Sequence, residues 1–427
     1  MKSLRSLLLI AFIILSLPAL APGKTITAVK DDSGNIILDN ISKKDVPKLI
    51  DFLGKSGSVS IYSSRALVDL GADAVPELLD ALRKGTYPEK IIYILSQIPD
   101  KKAAEGLVEI IKDPSAPAVP ISALTAYGDL AVPGLVSLLD DKNHGDAAAD
   151  ALGNISPSEE SRRIARSCFD SEDPRVRGLA ALVLGRWQDS KSAPEIEALL
   201  FHNDLKERKN AIIGYSLLYQ QAPERYNLDV LERLVMTEKD RDIRRTAVDI
   251  IKLIPGKNTD DALLRLIKSE KDNKVLSRLL YSVGDRNDTM MALQALQIIQ
   301  ENDNPDVRAA GFYALGRFRA EEAEPYITTV MHTAKRMNAE MKLQAFEAFV
   351  RIGRPVDYKD YLVHMYDADG CEECYSFKDA LLDLVEANVK PGDKDTLAFL
   401  VSFREKAAPR YIEKVDSIIK KIDRQPN

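Results

Sequence analysis

The chain has 427 residues, 45% hydrophobic and 29% charged, which excludes an intrinsically disordered polymer and exceeds the length at which one compact core stops growing. A formal charge of −6 removes the electrostatic case for general nucleic-acid binding, and three cysteines are too few for a disulfide framework. Aromatic residues make up only 6%, with a single Trp, a balance that favours aliphatic helix packing over a β-sandwich.

The first residues have the layout of a secretory signal peptide. Lys2 and Arg5 form a basic head, Leu7 to Leu17 an apolar run, Pro18 a break, and Ala19-Leu20-Ala21 a small-residue cleavage site. Pro22 disfavours cutting directly after Ala21, so Gly23 is the other candidate, and an uncleaved anchor is the alternative. The apolar run falls short of the roughly 20 residues that span a bilayer. No Cys follows it, which argues against a lipid anchor. Residues 1–23 are therefore expected to be lost, taking the formal charge from −6 to −8. The mature chain is expected to be exported, periplasmic or secreted, and monomeric, with no membrane span.

Residues 24–40 alternate apolar and polar side chains at Ile26, Ala28 and Lys30, turn at Asp31-Asp32-Ser33-Gly34, and continue through Ile36-Ile37-Leu38. That reads as a β-hairpin. Two strands are marginal alone, so the hairpin is expected to cap the first helices; a disordered tail is the alternative.

From residue 41 to 424 the pattern is helical. Val75, Leu78, Leu79 and Leu82 share one helix face, as do Val132, Leu135, Val136 and Leu139. Gly71, Gly85, Pro99-Asp100, Asp113-Pro114, Gly128 and Gly153 punctuate helices of about three turns, and connections so short force neighbours antiparallel. The segment Asp173-Pro-Arg-Val-Arg-Gly-Leu-Ala-Ala-Leu-Val-Leu-Gly-Arg-Trp187 returns 131 positions later as Asn304-Pro-Asp-Val-Arg-Ala-Ala-Gly-Phe-Tyr-Ala-Leu-Gly-Arg-Phe318. Pro194 and Pro325, in the helices that follow, keep the same offset of 131. Weaker copies at Glu207-Arg208, Ile243-Arg244 and Val275 divide the interval into steps of about 33 residues, the length of a helix-turn-helix unit.

These segments, with Gly71-Ala-Asp-Ala-Val-Pro-Glu-Leu-Leu-Asp-Ala-Leu82 and Gly128-Asp-Leu-Ala-Val-Pro-Gly-Leu-Val-Ser-Leu-Leu139, resemble the HEAT family. The likeness is closest to the short bacterial units related to those of phycobilin lyases. The resemblance implies an all-α, right-handed α-solenoid of about 12 two-helix repeats over residues 41–424. Stacking is the physical reason for such a fold, because one hairpin cannot bury its own apolar face. Pro76, Pro133, Pro194 and Pro325 fall in first turns, where a missing N–H costs nothing. Asp173 and Asn304 are placed to cap second helices, and Trp187 and Phe318 to close them against the next unit.

Chemistry-bearing motifs are few. Cys371-Glu-Glu-Cys374 has acidic flanks that raise a thiol pKa, and with His364 it supplies three metal ligands where structural zinc takes four. In an oxidising compartment a local disulfide between Cys371 and Cys374 is the leading reading, with free thiols or a metal as alternatives. Cys168 reads as a small core residue. His144, His202, His332 and His364 form no zinc-protease motif, and no nucleophile elbow or phosphate loop occurs, so no catalytic residue and no cofactor is assigned.

Aligned second helices carry Arg177, Arg208, Arg244, Leu276, Arg308 and Lys342 at one position. The resemblance to HEAT repeats implies arginines that bridge carboxylates of adjacent turns. The functional reading is a cationic stripe, joined near Leu276 by an aromatic patch of Tyr281, Phe312, Tyr313 and Phe346. The expected function is a non-catalytic scaffold for a protein or peptide partner, gripped through Arg177, Arg208, Arg244, Arg308, Lys342, Tyr281 and Tyr313. A maturation factor for a cofactor-bearing client, which the phycobilin-lyase likeness implies, and an envelope- or polysaccharide-binding module are the alternatives.

Overall fold

The computed structural model describes residues 26–30, 36–39, 41–286, 291–333, 339–352 and 372–423. The expected signal segment at 1–23, the turn at 31–34, His364 and Cys371 lie outside them. Two short strands precede the helices. β1 (Ile26–Lys30) pairs antiparallel with β2 (Ile36–Asp39), Val29 opposite Ile37 and Lys30 opposite Ile36, with a register irregularity between Ile26 and Val29. Everything else regular among the described residues is helical, and the chain divides into two compact units, 1–195 and 196–427.

The first unit contains α1 (Val46–Phe52), α2 (Ser58–Leu70), α3 (Val75–Arg83), α4 (Pro88–Ser96) and α5 (Lys101–Lys112). After them come a run of 3-10 turns over Ile121–Ala131, then α6 (Val132–Val136), α7 (Gly145–Gly153), α8 (Glu159–Arg166) and α9 (Pro174–Arg186). Helices of like rank touch in succession: α1 meets α3, α3 meets α5, α5 meets α6 and α6 meets α8. In the second row α2 meets α4, the 3-10 run lies between α4 and α7, and α7 meets α9. β2 runs beside α2. That is the contact pattern of hairpins stacked in file. One continuous apolar cluster fills the stack from Val46 to Trp187, with Leu78, Leu82, Ile91, Leu107, Leu135, Leu152 and Leu184 wholly buried. The 3-10 run stands where a regular second helix is expected. Pro114, Pro117 and Pro120 bias the residues before them away from helical backbone, so the approach is extended, and Gly128 kinks its end.

In the second unit, which α10 (Ala193–Leu199) enters, the order is α11 (Leu205–Leu218), α12 (Leu228–Thr237), α13 (Arg241–Ile251), α14 (Lys257–Ser269) and α15 (Asn273–Arg286). It continues as α16 (Ala292–Glu301), α17 (Pro305–Phe318), α18 (Glu324–Thr333), α19 (Ala339–Ile352), α20 (Glu372–Asn388), α21 (Lys394–Lys406) and α22 (Pro409–Asp423). Here α11, α13, α15, α17 and α19 form one row of successive contacts that goes on through α20 to α22.

The repeat is visible in backbone detail. Asp173, Asp204, Asp240 and Asn304 each cap a second helix, accepting first-turn N–H bonds from Arg175 (2.8 Å), Glu207 (2.8 Å), Asp242 (3.0 Å) and Asp306 (3.0 Å). At the other end Gln188 and Arg319, again 131 positions apart, both turn left-handed, with φ of 51° and 52°. The next N–H closes each helix in the same way, Asp189 N onto Leu184 O at 3.0 Å and Ala320 N onto Leu315 O at 3.1 Å. Trp187, 5% exposed, is anchored to the preceding second helix, its indole N–H donating to the Leu152 carbonyl at 2.8 Å.

Candidate functional site

The aligned arginines point at their own turns. Arg177 donates to the carbonyls of Ser171 (2.7 Å) and Glu172 (3.1 Å), Arg208 to those of His202 (2.8 Å) and Asn203 (2.9 Å), and Arg244 to those of Glu238 (3.0 Å) and Lys239 (3.3 Å). Arg308 reaches the Asn302 carbonyl at 2.9 Å and the Asp303 carboxylate at 2.5 Å. These carbonyls end the first helix of each hairpin and have no intrahelical partner, so the guanidinium fork closes the turn. Arg208 and Arg244 also bridge to the next repeat. Arg208 holds Glu238 at 2.6 Å, and Arg244 lies 3.3 Å from Glu270. The Arg208, Arg244 and Arg308 side chains keep only 16%, 13% and 19% of their surface in solvent. Leu276, at the interrupted rung, is buried. The side chains of Lys342 and Cys374, like the whole of Cys371, lie outside the described residues.

The aromatic patch separates into two classes. Phe312 and Phe346 are core, at 0% and 2% exposure. Tyr281 on α15 and Tyr313 on α17 remain half-exposed on the second-helix face, ring centroids 5.1 Å apart and planes tilted by 55°. The Tyr281 hydroxyl donates to Glu340 at 2.9 Å and the Tyr313 hydroxyl to Asp285 at 2.6 Å. Burial first, and then the neighbouring carboxylate, pushes both phenols above their ordinary value, so both stay protonated donors. Gly284 permits this arrangement, since a Cβ there would stand 2.9 Å from the Tyr313 ring. The site offers ring faces and carboxylates on rigid helices, which is recognition chemistry.

Two other features went unread in the sequence. Tyr215, Tyr219 and Tyr226 form an edge-to-face trio with centroids 5.4 to 6.4 Å apart. Tyr215 donates to Glu197 at 2.7 Å and accepts from the Asn227 N–H at 2.9 Å, and burial lifts its phenol well above the ordinary range. The i, i+4 spacing of Tyr215 and Tyr219 was the available signal. Beside the trio, a shallow depression of about 440 Å³ is lined by Asn227, Asp229, Asn258, Asp261 and Arg265, whose guanidinium already chelates Glu232 at 2.6 and 2.7 Å. Cys168 is buried, and burial pushes its thiol up to about 11. Among the described residues no group of three or more His, Cys, Asp or Glu side chains is placed to hold a metal ion, and no helix is long and apolar enough to cross a membrane.

Residues 132–216 match the family model described as HEAT repeats. The fold is similar to that of the karyopherin Kap121p bound to the extreme C-terminus of the protein phosphatase Cdc14p, with a TM-score of 0.50 and 10% identity over 90% of this chain and 54% of that one. Importin beta follows at 12% identity and a TM-score of 0.49, over 88% of this chain and 57% of its own. The chain therefore spans little more than half the length of either, and the likeness is one of fold. No curated protein matches the sequence.

Proposed function

We propose that this chain, a HEAT-repeat protein, is a non-catalytic scaffold that holds a protein or peptide partner along the second-helix face of its repeats. About 12 hairpins make up the array in this reading, and β1 and β2 cover its first helices. The reading includes export to the periplasm or the medium, supported by the basic head, the apolar run and the small residues at 19–21.

The observation that carries it is the state of the second-helix row. Half-buried arginines at Arg177, Arg208, Arg244 and Arg308 tie their own turns, and side chains that no core needs stand out from the row. Ile213 on α11 is 45% exposed, and Tyr281 on α15 and Tyr313 on α17 remain partly open. A rigid surface with exposed apolar and aromatic groups costs little entropy to bind. Photocrosslinkers placed at Ile213 or Tyr313 in the native compartment are expected to trap one discrete protein. The same probe at Met236 and Leu293, exposed on the first helices α12 and α16, is expected to trap none. Crosslinks confined to the first-helix positions would sink the proposal.

A further inference from the structure

On α15, α17 and α19 of the second unit, Glu340 is the carboxylate without a counter-ion among the described residues. Asp285 is held by Lys252 at 3.2 Å, Asp306 by Lys274 at 2.6 Å, and Glu347 lies 3.7 Å from Arg351. Glu340, half-buried at the start of α19, pairs with no cation among the described residues. Its Oε1 accepts from the Tyr281 hydroxyl at 2.9 Å and from Gln344 Nε2 at 3.1 Å. Gln344 is itself 8% exposed, and its Oε1 has no partner. The Tyr281 and Tyr313 rings lie alongside. Arg317 and Arg351 act on Tyr313 without forming an ion pair with Glu340.

A carboxylate with no cation among the described residues, an unmatched amide oxygen and two π faces are all electron-rich, and they converge from three successive second helices. A donor-rich cation satisfies all three by charge, hydrogen bond and cation–π attraction. We propose that Glu340, Gln344, Tyr281 and Tyr313 form a subsite for a lysine or arginine side chain on a basic segment of the partner. This rests on the scaffold reading and names the chemistry of what that scaffold holds. Gln344 supplies the second acceptor, and the two tyrosines fix the direction of approach.

The test measures fluorescence anisotropy of the full-length protein with a fluorescein-labelled Gly-Ser peptide carrying spaced arginines. A citrulline peptide of the same length serves as its neutral counterpart. The arginine peptide is expected to bind and the citrulline peptide to bind at least about tenfold more weakly. Glu340→Gln, which keeps the side-chain shape, is expected to lose about the same factor, and Tyr313→Leu several-fold. Glu89→Gln, at an exposed position on α4, is the control for general charge and should change nothing. Equal affinity for the two peptides, or wild-type affinity in Glu340→Gln, overturns the proposal. Crosslinking from Ile213 is scored in parallel. A surviving crosslink beside unchanged peptide binding in Glu340→Gln removes this inference and leaves the scaffold reading standing. Arginine-selective binding that Glu340→Gln abolishes, without any crosslink from Ile213, keeps the subsite and removes the extended second-helix grip from the scaffold reading.

Discussion

Arg208 makes two kinds of bond at once, to the carbonyls that end its own turn and to Glu238 in the next repeat. Removing it leaves a carboxylate that is only 4% exposed without its cation, so Arg208→Ala should cost about 2–3 kcal/mol in urea unfolding at pH 7. Burial alone would raise the Glu238 carboxyl. The Arg208 bonds, with the N–H groups of Asp240 and Lys239, outweigh it and hold the group below its ordinary 4.5. A carboxyl depressed in the fold stabilises fully above the unfolded value and loses that contribution as pH falls through the folded one. The gap between wild type and Arg208→Ala should therefore narrow below pH 4.5. A gap that widens in acid would contradict this assignment. Trp187→Ala, which empties a buried indole site and frees the Leu152 carbonyl, should cost about 3–5 kcal/mol by the same assay.

The helix pairs depend on close approach and on their ends. Gly316 on α17 faces α19 so nearly that a Cβ there would lie 2.6 Å from the Ala348 Cα, which is backbone and cannot swing away. Gly316→Ala is expected to cost about 1–3 kcal/mol and to speed amide exchange in α17 and α19 before other helices of that unit. The left-handed ends at Gln188 and Arg319 carry a side chain where glycine is preferred. Replacing both with Gly should stabilise the protein by up to about 1 kcal/mol per site, read as a rise in Tm. Both positions lie one residue past the end of a segment that the repeat had already aligned. Their conformation is thus legible in outline, whereas the replacement of a second helix by 3-10 turns at Ile121–Ala131 is not. Three prolines within seven residues were visible there, yet how far their effect spreads depends on the packing of α4 and α7 around the run.

At the scale of the whole molecule, the basic head, the apolar run and the small residues at 19–21 predict export. Fractionation should find the chain outside the cytoplasm, with a mature N-terminus at Pro22 or Lys24. A full-length cytoplasmic protein would end that expectation. The sequence by itself determined the repeat, its phase, the caps and the assignment of the aligned arginines to second helices. All of these are local consequences of helical periodicity and capping chemistry. Only the tertiary structure decided what those side chains meet. Arg208 and Phe312 each satisfy the helical pattern whether they face solvent or a neighbour. What buries them, or leaves Tyr281 open beside Glu340 some 59 positions away, is the stacking of one hairpin on the next. Burial belongs to the array, and no single helix encodes it.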